Sequence, residues 1–319
     1  MEYQFITTQQ TGRVLTVWLN NPPQSFLTTG MMQEFISVLK ALRKDTSVGA
    51  VVLTSAVEGV FLTHFDVAEI KQSAESVPMS LSPTLANLSL KTESAFSHLP
   101  GSRALASKTP VMGVVQMNLF HEVMALMRAM DKVFIAAING RAMGGGHELA
   151  QGCDLRVMVE GDAEKDVIGQ PEICIGLIPG GGGTQMMARH LGVAKAMEYA
   201  LDAKLLTPQE ALDVGLVHRL APAASLLEDT QQWAERLARR PAYAVKAIKQ
   251  AIYHGASQTF DEGMAMEKAG FVSTATQPNT RTAMLAYADA VQAISDRGDM
   301  LNLNDMQDWL EGTAFDFHS

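Results

Sequence analysis

The 319-residue sequence predicts an α/β fold built on a largely parallel sheet, with a helical C-terminal half. Three patterns predict it. Short unbroken apolar runs, Ala50-Val51-Val52-Leu53-Thr54 and Val133 to Ile138, have the character of strands buried on both faces. Helical spacings lie between such runs, so strand and helix alternate and parallel strands are joined by right-handed crossovers. Beyond about residue 184 the strand patterns stop and helical signals continue.

Residues 3–20 alternate as two strands around a turn at Gln9-Gln10-Thr11-Gly12, the second running from Val14 to Leu19. Asn21-Pro22-Pro23 breaks the pattern. From Thr29 to Leu42, apolar residues at Met31, Phe35, Leu39 and Leu42 keep helical spacing. Residues 73–118 are rich in Ser, Thr, Pro and Leu, and no period persists there. Loops of that length inside a compact domain are functional or mobile segments. A helical stripe returns over Leu119–Lys132 through Phe120, Val123, Met124 and Met127. A helix begins after the glycines at 144–146, and Leu155 to Val159 reads as a strand. Thr207-Pro208-Gln209-Glu210 is a capping box with proline in the first turn, and Gly215 is a C-terminal stop. Pro241 opens a helical segment to Gly255, and Phe260 to about Phe271 reads as another. The acidic tail after about 288 reads as a helix and an extended end. No internal repeat is visible.

The formal charge of −9, from 25 basic and 34 acidic side chains, provides no broad electrostatic footprint for nucleic acid. An anionic ligand would need a local feature such as a helix N-terminus. Cys153 and Cys174 are too few for a disulfide framework or a zinc ribbon, and fit buried thiols in a reducing compartment. No leader pattern opens the chain, and no run of about 18 apolar residues would span a bilayer. The expectation is a cytoplasmic protein with no membrane partner.

Two segments carry the chemistry. In Asn139 to Ala150 a buried strand runs into Gly144-Gly145-Gly146 and a helix begins, with Glu148 in its first turn. Glycines there let another group approach the backbone, and the free N–H groups and dipole of the helix start favour negative charge on a ligand oxygen. A tight strand–helix turn is the plain structural alternative. The segment lacks a dinucleotide fingerprint and a P-loop lysine, and Gln151 stands where the second histidine of a zinc-protease helix belongs. In the second segment, Ile168 to Thr184, Glu172 sits in an apolar, proline-broken stretch, where desolvation raises a carboxyl pKa toward the range of proton transfer. A structural ion pair is the alternative there. The Gly180–Gly183 run could cradle a phosphate or simply shape the loop before the next helix. A third stretch, Gly59 to Ile70, reads as loop into helix with Asp66 as an N-cap.

Together these segments resemble the crotonase (enoyl-CoA hydratase/isomerase) superfamily. Its G-G-G-x-E-L-A signature stands as Gly144 to Ala150, and its Q-P-E-x-x-x-G-x-x-P-G-x-G-G-T signature as Gln170 to Thr184. The likeness extends from the N-terminal strands to the helices ending near 287, but leaves out most of 73–118 and the tail. It implies a spiral of ββα units over 1–205 with an insertion at about 73–118. A helical oligomerisation subdomain would follow over 206–287 and an extra acidic tail over 288–319, in a homotrimer or dimer of trimers.

The resemblance also implies hydration of an enoyl-CoA thioester, with Glu148 and Glu172 activating one water. The backbone N–H groups of Phe65 and Gly145 would form an oxyanion hole, and Phe65, Asp66, Val67, Ala68 and Gly145 would bind the coenzyme A substrate. Neither a metal nor a cofactor other than substrate coenzyme A is implied. Two positions depart from the pattern. His64-Phe65 replaces a small pair, making His64 a candidate polar group at the site. Ala68 replaces a lysine near the coenzyme phosphates, for which Lys71 or a neighbouring subunit is the candidate substitute. Other readings are a double-bond isomerase or another crotonase reaction, and a degenerate acyl-CoA-binding member. Retention of both glutamates favours hydration. Met112, Met117, Met124, Met127 and Met130 suit either an adaptable lid over a bulky acyl group or ordinary core packing.

Overall fold

The computed structural model describes residues 3–77, 79–97, 99, 101 and 112–318. Residues 102–111 of the insertion lie outside the described residues. In chain order the strands are β1 (Ile6–Thr11), β2 (Val14–Leu19), β3 (Ala50–Ser55), β4 (Gly59–Leu62) and β5 (Val133–Ile138). They continue with β6 (Gly140–Met143), β7 (Leu155–Val159), β8 (Ile168–Gly169), β9 (Leu205–Leu206) and β10 (Arg219–Ala221). A six-stranded sheet runs β1-β2-β3-β5-β7-β10, and a four-stranded sheet of shorter strands runs β4-β6-β8-β9. Only the β1–β2 pairing in the larger sheet is antiparallel, with Thr8 opposite Val17; Val52 faces Ile135 across the parallel β3–β5 pair.

After each of β3, β5 and β7 the chain leaves the larger sheet, adds one short strand to the smaller sheet, and turns into a helix. These helices are Val67–Glu75, Gly145–Gly152 and the short 3₁₀ turn Glu172–Ile175. The result is the spiral of ββα units that the resemblance implies. The repeat is one of architecture, since successive turns share no residue pattern. It places three successive helix starts just after three neighbouring strands of the smaller sheet.

Both faces of the larger sheet are buried. One packs on Thr29–Leu42 and Met112–Ala129 through Leu39, Leu53, Met127 and Phe134. The other packs on Leu226–Ala238 through Val52, Ile135, Val157 and Ala234. Each of the larger of these side chains contributes about 1.5–3 kcal/mol by leaving water. That double burial explains why β3 and β5 read as unbroken apolar runs.

The structure corrects several expectations. Gly59–Leu62 is a strand rather than loop, and β6 follows β5 after a single residue. The C-terminal half contains β9 and β10. Strands of two to four residues are too short to display a period of two. Pro83–Phe96, in the stretch where no period persists, is a helix capped by Ser82 with proline in its first turn, and none of its residues is fully buried. Without a buried face it has no apolar stripe to read. The stripe placed at Leu119 begins at Met112. Met124, Met127 and Met130 belong to the core.

Helix Ala242–Tyr253 is tied to the core by the buried Lys249 ammonium. It donates to Asp154 at 2.8 Å and to the Met127 and Lys132 carbonyls at 2.9 and 2.8 Å. The tail ends on Leu226–Ala238 and its C-terminal flank: Arg240 and Arg239 donate to the Trp309 and Glu311 carbonyls at 2.8 and 3.0 Å. Among the described residues no helix is long and apolar enough to cross a membrane.

Candidate active site

Glu148 lies on Gly145–Gly152, the helix that β6 feeds directly. The Met143 N–H donates to Thr63 O, and the Gly144 N–H to Gly169 O at 2.9 Å, so both neighbouring turns of the spiral hold the helix start. Glu148 is 3% exposed, and its Oε1 accepts the N–H groups of Gly181 and Gly183, each at 2.7 Å. The Gly180–Gly183 run therefore cradles a carboxylate of its own chain. At Gly181 a Cβ would lie 2.1 Å from Phe120 Cε1 and 2.7 Å from Glu148 Oε2, so only glycine fits. Burial pushes the Glu148 carboxyl up to about 7; the Glu172 charge acts the same way, against the pull of the two amides.

Glu172 opens the Glu172–Ile175 turn and is half-buried. Desolvation pushes its carboxyl up to about 6. Buried Gln170, with its amide nitrogen toward the carboxylate, donates to Oε1 at 2.8 Å. A Cβ on Gly144 would stand 3.1 Å from that same oxygen, so Glu172 lies against the start of the Glu148 helix.

Phe65 approaches from the preceding turn. It bridges Leu27, with the Leu27 N–H on His64 O at 2.9 Å and the Asp66 N–H on Leu27 O at 2.8 Å. This pairing turns the Phe65 N–H to the opposite side, toward Gly145. A Cβ on Gly145 would meet Phe65 N at 3.3 Å. Gly145 is the first helical residue, so its N–H has no intrahelical acceptor. Two backbone donors thus face one small space.

A cavity of about 710 Å³ receives Phe65, Gly145, Glu148 and Glu172 in its wall. Val67 and His64 also line it. Asp66 is not in the wall: it caps the Val67–Glu75 helix by accepting the Ala68 N–H at 2.8 Å. Ala68 is exposed beside the cavity and does not line it either. His64 stacks on Phe26 at 4.9 Å, with Nδ1 2.7 Å from Phe65 O. Lys71 pairs with Glu75 on the exposed face of its helix. Met117 lines the cavity. Cys153 is buried, its thiol pushed up to about 12, but Cys174 is exposed and lines the cavity, because it sits on a surface turn.

Three participants escaped sequence reasoning. The Gly181 and Gly183 amides were signalled only by an ambiguous glycine run. Gln170 was visible only as a neighbour of Glu172.

The family described as enoyl-CoA hydratase/isomerase matches residues 9–94 and 107–294. A probable mitochondrial enoyl-CoA hydratase from Dictyostelium discoideum is 32% identical over 284 residues, covering 89% of this chain and 87% of that one. A short-chain-enoyl-CoA hydratase from Clostridium acetobutylicum is 27% identical, covering 91% and 96%. A solved enoyl-CoA hydratase from Bacillus anthracis is similar in fold, with a TM-score of 0.71 at 26% identity, over 90% of this chain and 96% of that one.

Proposed function

The chain belongs to the enoyl-CoA hydratase/isomerase family, and on that footing we propose that it adds water reversibly to a 2-enoyl-CoA, giving the 3-hydroxyacyl-CoA. It is a carbon–oxygen lyase. The thioester oxygen lies between the N–H groups of Phe65 and Gly145, which stabilise it as it becomes enolate-like. Glu148 orients the water and takes its proton as the water oxygen bonds to the β-carbon. The π-electron pair moves through the enolate to a new C–H bond at the α-carbon, whose proton comes from Glu172. Each turnover leaves Glu148 protonated and Glu172 ionised, and exchange with solvent restores both. Coenzyme A enters as part of the substrate and no further cofactor takes part.

One observation carries this reading: two carboxyls raised toward neutrality and two unengaged backbone donors open into one cavity. Two carboxyls poised near neutrality beside an oxyanion-type donor pair suit proton transfer at an α-carbon. The test is loss of enoyl absorbance with crotonyl-CoA and with longer and branched enoyl-CoAs. Activity should be present in the wild type and fall by orders of magnitude in Glu148→Gln and Glu172→Gln, with acyl-CoA binding kept. Unchanged turnover in both variants overturns the assignment.

The same reading makes the protein a cytoplasmic homotrimer or dimer of trimers. Exposed Phe260, Phe271, Val272 and Leu285 on the C-terminal helices support association. Light scattering on the purified protein tests it.

A further inference from the structure

The wall of the cavity opposite the glycine-rich turns comes from helices Val67–Glu75, Pro83–Phe96 and Met112–Ala129. It is apolar through Ile70, Val77 and Met117, but Ser73, Ser89 and Gln116 also line it. Ser73 is 6% exposed and Gln116 2%, which is unusual for an amide beside an acyl-sized cavity.

Glu69 Oε2 accepts the Thr29 N–H at 3.0 Å, the Thr29 hydroxyl at 2.5 Å and Gln116 Nε2 at 3.2 Å. Gln116 Nε2 spends its other proton on Thr29 Oγ1 at 3.0 Å. A carboxylate only accepts, so the nitrogen of Gln116 must face Glu69 and its oxygen must face Ser73. Ser73 Oγ lies 2.9 Å from both Gln116 Oε1 and Glu69 O, and has one proton to give. Ser89 gives its proton to Leu85 O at 3.0 Å. Every donor of the network is engaged inside the protein. What remains toward the cavity is oxygen lone pairs, backed by a Glu69 carboxylate that no lysine or arginine among the described residues pairs with.

From this we infer that the protein takes an acyl group bearing a hydroxyl away from the thioester, and that Ser73 and Gln116 are its specificity determinants. The hydroxyl donates to the Ser73 and Gln116 oxygens. A carboxylated chain, which brings only acceptors and a like charge, is rejected. A purely hydrocarbon chain leaves the lone pairs of a buried serine and glutamine unmatched. The inference rests on the hydratase reading only in taking this cavity as the acyl pocket.

The test compares matched thioesters: para-hydroxycinnamoyl-CoA against cinnamoyl-CoA, and ω-hydroxy against unsubstituted 2-enoyl-CoAs over a ladder of chain lengths. Turnover gives kcat/KM, and calorimetry with the saturated analogues gives binding independently of chemistry. The hydroxylated member of at least one pair should be favoured about tenfold, the worth of one buried hydrogen bond. In Ser73→Ala and Gln116→Met that ratio should fall toward one. Equal handling of every pair by the wild type, or a ratio unmoved in Ser73→Ala, overturns the inference. Binding preference without turnover of any thioester leaves it standing and overturns the hydratase reading instead. Turnover without preference does the reverse.

Discussion

The Glu148 carboxylate and the Gly183 N–H meet at 2.7 Å, and Gly181 donates to the same Oε1 at the same distance. One oxygen of the buried acid is thereby fixed, and the other stands near Gly181 at the cavity. The helix Gly183–Leu191 points its N-terminus at this carboxylate, a favourable placement for negative charge.

Gly181→Ala tests that arrangement. The new methyl group would strike Phe120 and Glu148 Oε2, and must displace one of them. We expect kcat/KM on crotonyl-CoA to fall at least about a hundredfold, as for other displacements near one ångström at a reacting group. Stability should fall by about 1–3 kcal/mol from overpacking. Steady-state kinetics with a thermal melt checks both.

Gly145→Ala places a methyl group 3.3 Å from Phe65 N, in the space the thioester oxygen is proposed to occupy. The N–H of residue 145 survives the substitution, but the methyl group keeps the oxygen from the Phe65 N–H; losing one such donor costs about 3–4 kcal/mol of transition-state stabilisation, so kcat should drop by roughly two to three orders of magnitude. The substrate-analogue Kd should change far less. A kcat within a few-fold of wild type would remove Gly145 from the oxyanion assignment.

The pH dependence follows from the two carboxyls. Below about pH 6 both hold a proton and no base is available; above about pH 7 both are ionised and no acid is available. The kcat/KM profile should be a bell with limbs near these values, which belong to the pair rather than to either residue.

The Glu148 pKa is raised on folding, so its contribution to stability is fully present below about pH 4.5 and is lost as pH rises through about 7. Glu148→Gln removes that dependence. Relative to the variant, the wild type should lose about 3 kcal/mol across this window, read from urea melts at each pH.

Lys249 is buried against Asp154, with the Tyr253 hydroxyl on the other Asp154 oxygen at 2.7 Å. Desolvation lowers the lysine pKa, and the aspartate counters it. Lys249→Ala leaves Asp154 buried without its cation and should cost about 3–5 kcal/mol of stability. Lys249→Met, which fills the volume, should cost no less if the charge pairing dominates; chemical denaturation distinguishes packing from pairing.

Much of the scaffold was legible because its causes are local. Strands β3 and β5 read as apolar runs since both faces are covered, and Thr29–Leu42 shows its stripe since one face is. The capping box at Thr207 and Glu210 is present as read, with both reciprocal hydrogen bonds. The helix Pro83–Phe96 was missed because it has no buried face, and β4, β6, β9 and β10 because so few residues carry no period. At the site, Glu148 and Glu172 stood out as acids in apolar surroundings. Asp66 was readable as a cap, and the structure assigns it that contact and no place in the cavity wall.

By itself, then, the sequence determined the α/β class, the family signatures and the two acidic candidates, because each depends on residue types within a few positions of one another. Only the tertiary structure decided that Glu148 and Glu172 share a cavity, and that residues 181 and 183 hold one of them by main-chain amides. It alone decided that Ser73 and Gln116, from helices far apart in the chain, face the same space with no proton left to give. Hydrogen bonds and burial depend on distance in space, and a carboxyl's affinity for its proton depends on the water removed around it; neither leaves a period in the chain.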